Sequence, residues 1–285
     1  AIKTFCSASM RATRIKGGRA ITYSTIRWSD IGGLSKVKKA LRQAVEWPLK
    51  YPERMKKLGL TRRRGILLHG PPGCAKTTLV KAMASSCKAA FLVGDTAGIY
   101  SPLLGESERK LRGLFKLARA NQPCILLLDE IDGIVSKRDF SGSSSSSGGV
   151  EERLLSTLLN EMDGVGNAGD VLVVAATNRP DMLDEALRRP GRFDQQFYVP
   201  PPDLAAIKAI LSIKIASMPL DAKTEEKLLR DEGENAGGGD DDVERNRRAG
   251  SFATKLIGYS GADIENVCRE ASINALRRDG GGGGG

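Results

Sequence analysis

Short, nearly unbroken apolar runs recur through the middle of the chain: Gly65–Leu68, Ala90–Val93, Ile125–Leu128 and Val171–Ala175, with a further piece at Gln196–Val199. A strand facing water on one side alternates apolar and polar residues. Unbroken runs instead predict strands buried on both faces. The four main runs are each trailed by a stretch with helical spacing, and this alternation predicts an α/β domain with a parallel sheet flanked by helices. In such a sheet, ligands sit at the carboxyl ends of the strands.

Upstream, Val37, Ala40, Leu41, Ala44 and Val45 fall at helical spacing, so a helix is expected from Lys36 to Trp47, broken by Pro48. Residues 1–27 show no sustained period and are expected to be a linker. After Pro200-Pro201-Pro202 the strand signals stop. Leu204–Ile215, Lys223–Arg230 and Ala262–Arg277 have helical patterns. The expected layout is therefore an α/β domain over 28–202 and a small all-helical domain over 203–279. Ser141–Gly149, Glu232–Asp242 and the tail 280–285 are rich in Gly, Ser or Asp. They offer little apolar surface against the cost of ordering, and flexible loops or a tail are expected.

Charge narrows the function classes. The formal net charge is +10, but residues 1–27 hold six Lys or Arg and no acid, which leaves the rest at only +4. The body of the chain lacks the concentrated basic face of a nucleic-acid binder, so direct specific nucleic-acid binding is not expected. The basic start also resembles a mitochondrial presequence, but it opens on Ala1 rather than Met, and a start in mid-protein is expected. No apolar run reaches the roughly 18–20 residues of a membrane span. The five cysteines are odd in number and scattered, without CxxC, and His69 is the only histidine. Cys/His zinc sites and His-based nucleophile pairs are thereby disfavoured, and a reducing compartment, cytoplasm and/or nucleus, is expected.

The candidate chemistry begins where the Ile66–Leu68 run meets Gly70-Pro-Pro72-Gly73-Cys74-Ala75-Lys76-Thr77-Thr78, ahead of a helix expected to reach about Cys87. This is close to the phosphate-binding pattern G-x-x-x-x-G-K-[ST] in its strand-loop-helix context. Backbone N–H groups freed by the glycines can wrap a polyphosphate, and the helix N-terminus favours negative charge. Lys76 supplies a point charge for β- and γ-phosphates, and Thr77 offers a hydroxyl to Mg²⁺. Ala75 stands where the pattern has glycine. At negative φ it costs little; at positive φ it strains the loop by about 1 kcal/mol or more.

Fifty-three residues after Lys76, an apolar strand ends in Asp129-Glu130-Ile131-Asp132. The strand would deliver Asp129 to the Mg²⁺ side of the phosphates, with Glu130 placed to orient and polarise an attacking water.

Together these residues resemble the AAA ATPase family over about 28–279, most closely the second ATPase domain of tandem-domain members. These include valosin-containing-protein-like chains and the spermatogenesis-associated, ribosome-maturation branch, the latter favoured by the Gly-Cys-Ala-Lys loop. Trp28-Ser-Asp-Ile-Gly-Gly-Leu34 is similar to the family's opening motif. The resemblance implies that Asp30, Ile31 and Gly32 border the adenine. Val174-Ala-Ala-Thr-Asn178-Arg-Pro-Asp181 resembles the first sensor strand, which gives Asn178 the role of holding the attacking water or γ-phosphate. In Leu187-Arg-Arg189-Pro-Gly-Arg192-Phe-Asp194, similar to the second region of homology, Arg189 and Arg192 would be arginine fingers reaching the ATP of a neighbouring subunit. Gly258-Tyr-Ser-Gly-Ala-Asp263 looks like the lid turn that closes over adenine, with Gly261 and Ala262 nearest the base.

The resemblance therefore implies a P-loop NTPase with a helical lid, binding and hydrolysing ATP with Mg²⁺. It would act in a homo-oligomeric or pseudo-hexameric ring on a protein or pre-ribosomal client. Two alternatives stay open: a slow nucleotide-binding scaffold marked by Ala75, and a nucleic-acid motor. The expected pore loop, Tyr100–Glu108, carries Leu103 where threading members have an aromatic, which gives a translocated peptide less apolar contact. An insertion of about two dozen residues around 221–250 is expected to be a surface loop.

Overall fold

The computed structural model describes residues 10–14, 20–58, 65–99, 105–133, 148–165, 171–216, 218 and 252–280. By chain contacts it separates into two compact units. One comprises 1–28, 36–70 and 76–199; the other comprises 29–35, 71–75 and 200–285.

The first unit is built on a seven-stranded sheet. In chain order its strands are β1 (Met10–Arg14), β2 (Ala20–Ser24), β3 (Gly65–His69), β4 (Ala90–Asp95), β5 (Cys124–Asp129), β6 (Val171–Thr177) and β7 (Gln195–Tyr198). In space they run β1-β2-β4-β5-β6-β3-β7. The five from β4 to β7 are mutually parallel, as the unbroken apolar runs require, with register pairs such as Leu126–Val173 and Leu67–Ala175. Helices α1 (Ser35–Lys50), α2 (Pro52–Lys57), α3 (Lys76–Cys87), α4 (Thr96–Ile99), α5 (Glu106–Ala120) and α6 (Gly148–Val165) complete the unit.

Side-chain alternation sorts the sheet into two buried faces. Leu67, Leu92, Leu126 and Val173 share a core with Phe115 of α5 and Leu158 of α6. Ile66, Leu68, Ile125, Leu127 and Val174 are also buried, as are Leu79, Val80 and Met83 on α3. A buried carboxylate, Glu46 of α1, accepts from Arg42 Nε of its own helix at 3.3 Å and from Ser86 Oγ of α3 at 2.5 Å.

Three expectations differ from the structure. Residues 10–14 and 20–24, assigned to a linker, form an antiparallel pair whose β2 adds to β4 at Thr22–Phe91. Five-residue strands are too short to establish a period, and β1 is further interrupted by Arg11. The usable signal was Ile21-Thr22-Tyr23, a β-branched and aromatic trio. Pro48 does not break α1, which runs on to Lys50. Its fixed φ is helical, the lost donor falls in the final turn, and Tyr51 N donates to Trp47 O at 2.9 Å. Gly148 and Gly149, expected in a loop, open α6.

The second unit contains α7 (Leu204–Ile215), α8 (Phe252–Lys255) and α9 (Gly261–Gly280). Asp203 caps α7 by accepting from Ala206 N at 2.8 Å. Ile207, Leu211, Leu256, Ile264 and Cys268 form its core. Ser260 and Asp263 make a reciprocal cap on α9: Ser260 N donates to Asp263 Oδ2 at 2.9 Å and Asp263 N donates to Ser260 Oγ at 3.3 Å. These bonds to Ser260 hold the Asp263 carboxyl below its ordinary value. The expected helix 223–230, the loops 232–242 and 221–250, residues 141–147 and the tail beyond Gly280 lie outside the described residues. No helix of the described residues is long and apolar enough to cross a membrane.

Burial pushes the Cys124 thiol, 1% exposed at the start of β5, up to about 12. The thiolate is the reactive form, so this group is protected twice. Cys124 is expected to resist alkylation by iodoacetamide at about pH 8 in the folded protein and to react once denaturant is added. Mass-spectrometric mapping checks this; rapid labelling under native conditions would contradict the packing of β5.

Candidate functional site

The carboxyl ends of β3, β5 and β6 lie at one edge of the sheet, and the sequence places the predicted chemistry at those ends. Gly70 leaves β3 with φ 151°, donating to Thr177 O at 3.3 Å. A Cβ at this position would lie 2.2 Å from Val199 O, so the close backbone approach requires glycine.

Lys76 opens α3 and is 8% exposed. Its Nζ donates to Gly70 O at 2.9 Å and to Asn178 Oδ1, just past β6, at 2.7 Å. Thr77 Oγ1 donates to Asp129 Oδ2 at 2.7 Å. Asp129 also accepts from Glu130 N at 3.2 Å. Glu130 is exposed and has φ 52°, a left-handed conformation that few non-glycine residues adopt. Such strain is concentrated at functional sites, where surrounding structure over-determines it. Thr78 follows, half-buried, in the first turn of α3.

The last acid of the Asp129–Asp132 run behaves differently from the first two. Thr177 Oγ1 donates to Asp132 Oδ1 at 2.7 Å and accepts from Arg179 N at 2.9 Å. The sequence pattern gave Asp132 no role, and only the strand register reveals one.

The two arginines are held differently. Arg192 Nε and Nη2 meet the Asp163 carboxylate at 3.0 and 2.8 Å, and Nη1 donates to Ala186 O at 2.9 Å. The hydrogen bond to Asp163 raises its pKa further. Arg189 is exposed, and among the described residues no hydrogen bond or ion pair engages its side chain. Asp163 lies on α6, 29 residues before Arg192. Sequence reasoning missed it because a helix-surface acid carries no motif by itself.

In the second unit, Gly32 and Gly33 pack against α7. A Cβ on Gly32 would meet Ile210 at 2.5 Å, and one on Gly33, with φ 64°, would meet Ala206 at 2.3 Å. Ile31 is buried and Asp30 exposed. Gly73 has φ 72° and leaves no room for a Cβ, which would lie 2.4 Å from Ser260 Oγ. Its carbonyl accepts from Ala262 N at 3.2 Å, beside Gly261. Pro72 is exposed, and its carbonyl accepts a weak 3.6 Å bond from the buried Cys74 thiol. Thus Asp30–Gly32, Pro72–Ala75 and Gly261–Ala262 belong to one compact unit. Of the expected pore loop, 100–104 including Leu103 lie outside the described residues, whereas Glu106–Glu108 begin α5.

Ala75 adopts φ 61°, the costlier of the two conformations open to it. Relative to glycine, the Cβ adds strain of about 1 kcal/mol. Ala75→Gly is therefore expected to stabilise the protein by up to about 1 kcal/mol in denaturant titration, less the extra freedom glycine gives the unfolded chain. A destabilisation above about 1 kcal/mol would contradict the left-handed assignment.

Comparison with known proteins agrees with this arrangement. The description "ATPase family associated with various cellular activities (AAA)" matches residues 66–201, and "AAA+ lid domain" matches 250–281. Relatives include human "ATPase family gene 2 protein homolog B", 42% identical over 90% of this chain and 33% of its own length. "Cell division control protein 48 homolog B" of Arabidopsis thaliana is 44% identical over 93% of this chain and 40% of its length. The "Cell division cycle protein 48 homolog" of Archaeoglobus fulgidus is 44% identical over 88% and 31%. The chain spans about a third of the length of the curated relatives it matches. With a parallel sheet flanked by helices, a lysine-bearing phosphate loop at its carboxyl edge and a matching helical lid, the chain belongs to the AAA ATPase family.

Proposed function

We propose that this chain binds ATP with Mg²⁺ and hydrolyses it as one subunit of a ring, driving the remodelling of a protein or ribonucleoprotein client. The observation that carries this reading is the meeting of Lys76, Thr77, Asp129 and Asn178 through bonds of 2.7 Å, with Glu130 one residue on. Gly70 and Gly73 adopt positive φ, in keeping with a loop that turns its backbone N–H groups toward a phosphate chain. The oxygen donors Thr77 and Asp129 suit a hard cation. When bound, Mg²⁺ would supply charge neutralisation on the phosphates.

The chain's own groups take these roles. Lys76 neutralises the β- and γ-phosphates. Asn178 and Glu130 orient the attacking water, and Glu130 draws off its proton. Arg189 reaches a neighbouring subunit's nucleotide, where an arginine finger contributes roughly 10³–10⁵ in rate. Arg192 acts beside it, with its guanidinium plane set by Asp163. Loss of the γ-phosphate then releases the contacts that fixed the subunit's conformation. The scattered cysteines support a reducing setting, cytoplasm or nucleus.

The strain at Ala75 favours one other reading, a nucleotide-binding scaffold with slow turnover. Steady-state ATPase of an assembled sample separates the two. Glu130→Gln is expected to keep ATP affinity and lower turnover by about 10²-fold or more. Wild-type turnover no higher than background would favour the scaffold.

Arg189→Ala is expected to abolish turnover in assembled rings while leaving nucleotide binding intact. Mixing it with Glu130→Gln subunits, which retain their arginines, should restore part of the activity. An unimpaired Arg189→Ala ring would refute the cross-subunit role.

A further inference from the structure

Asn178 sits one residue past β6, at the point where a strand gives way to a loop. A short polar side chain in such a place does not hold a water molecule steady by itself. Its backbone must be fixed on both sides, and the fixing groups must not compete for the phosphate site.

The residues on either side meet that requirement. Successive side chains of an extended strand point to opposite faces. Asn178 reaches Lys76 at 2.7 Å, while Thr177 is fully buried and its hydroxyl points to Asp132. That hydroxyl donates to Asp132 Oδ1 at 2.7 Å and accepts from Arg179 N at 2.9 Å. The second bond closes a Ser/Thr turn around Asn178 and sets the direction of the chain beyond it. The first bond fixes the hydroxyl rotor with a carboxylate, and charge-assisted bonds are the stronger kind. Asp132 itself rides on the 3₁₀ turn Ile131–Gly133, directly after Glu130. One short run of acids therefore carries Asp129 to Thr77, exposes Glu130, and ties Asp132 to the loop bearing Asn178.

We propose that Asp132 and Thr177 are a positioning pair for the reaction: the carboxylate orients the Thr177 hydroxyl, which holds the Arg179 amide and so aims Asn178 at the reacting γ-phosphate side. This rests on the ATPase reading above and extends it to two residues that need not touch nucleotide. It also couples Glu130 to Asn178 mechanically, because the Asp132 turn joins the two loops. A shift of either loop is transmitted through one hydrogen-bonded carboxylate.

The test is steady-state ATPase kinetics of the assembled chain with Thr177→Val, which removes the hydroxyl at nearly constant shape, and Thr177→Ser, which keeps it. Thr177→Val is expected to lower kcat about 10-fold with KM little changed, the size of one lost hydrogen bond acting only in the transition state. Thr177→Ser should recover most of that loss. In an Asn178→Ala background, Thr177→Val should cost little more, because both changes remove one function. Amide exchange at Arg179 should accelerate in Thr177→Val and not in Thr177→Ser, independent of nucleotide.

Full multiplication of the Thr177→Val and Asn178→Ala effects would overturn the pair's role, as would an unimpaired Thr177→Val enzyme with active wild type. Absence of wild-type turnover would overturn the ATPase reading itself, and this proposal with it. Should Thr177→Val prove poorly folded, Asp132→Ala gives the same readouts without changing the buried strand.

Discussion

A lysine ammonium withdrawn from solvent must be given oxygen partners at fixed positions, and the arrangement of the first unit follows from how Lys76 obtains them. One partner is the carbonyl of Gly70, at the exit of β3, and another is the amide oxygen of Asn178, at the exit of β6. These exits adjoin because β3 and β6 are parallel neighbours, in register from Gly65–Val173 to His69–Thr177. On the far side of β6, β5 delivers Asp129 to Thr77. An antiparallel arrangement would send these strand ends to opposite edges. The parallel sheet is thus what turns three separated sequence motifs into one site.

The site is also where the backbone departs from easy geometry. Ala75 and Glu130 both adopt positive φ without being glycine. Each is wedged between residues whose positions are otherwise set: Ala75 between Gly73 and the first turn of α3, Glu130 between β5 and the Asp132 turn. Buried sheet and helix packing supplies the free energy that keeps such conformations populated. The same logic distinguishes the arginines. Bidentate pairing with Asp163 holds Arg192 to α6, whereas Arg189, directly after the 3₁₀ turn Glu185–Arg188, is presented on the surface.

Much of the first unit was legible in the sequence because doubly buried strands leave unbroken apolar runs, and because a phosphate loop must use particular residue types in a fixed order. The five parallel strands appear within two residues of their expected ends, and α3 and α7 fall where their patterns placed them. The antiparallel pair β1–β2 was not legible, since strands of only five residues leave no long pattern. Nor were Asp163 and Thr177, whose importance comes from residues 29 and 45 positions away in the chain. Ala75 shows the boundary most clearly. The sequence identified the position where φ mattered, and only the folded loop determined its sign.

The central claim is that Gly70 through Thr77, with Asp129, grips a nucleotide triphosphate. Isothermal titration calorimetry of ATP with Mg²⁺ into the folded protein tests it directly, with a Lys76→Ala variant of matched thermal stability as control. A saturable one-site heat that disappears in Lys76→Ala is predicted. A well-folded wild type that gives no heat, or a Lys76→Ala variant that binds as tightly, would contradict it.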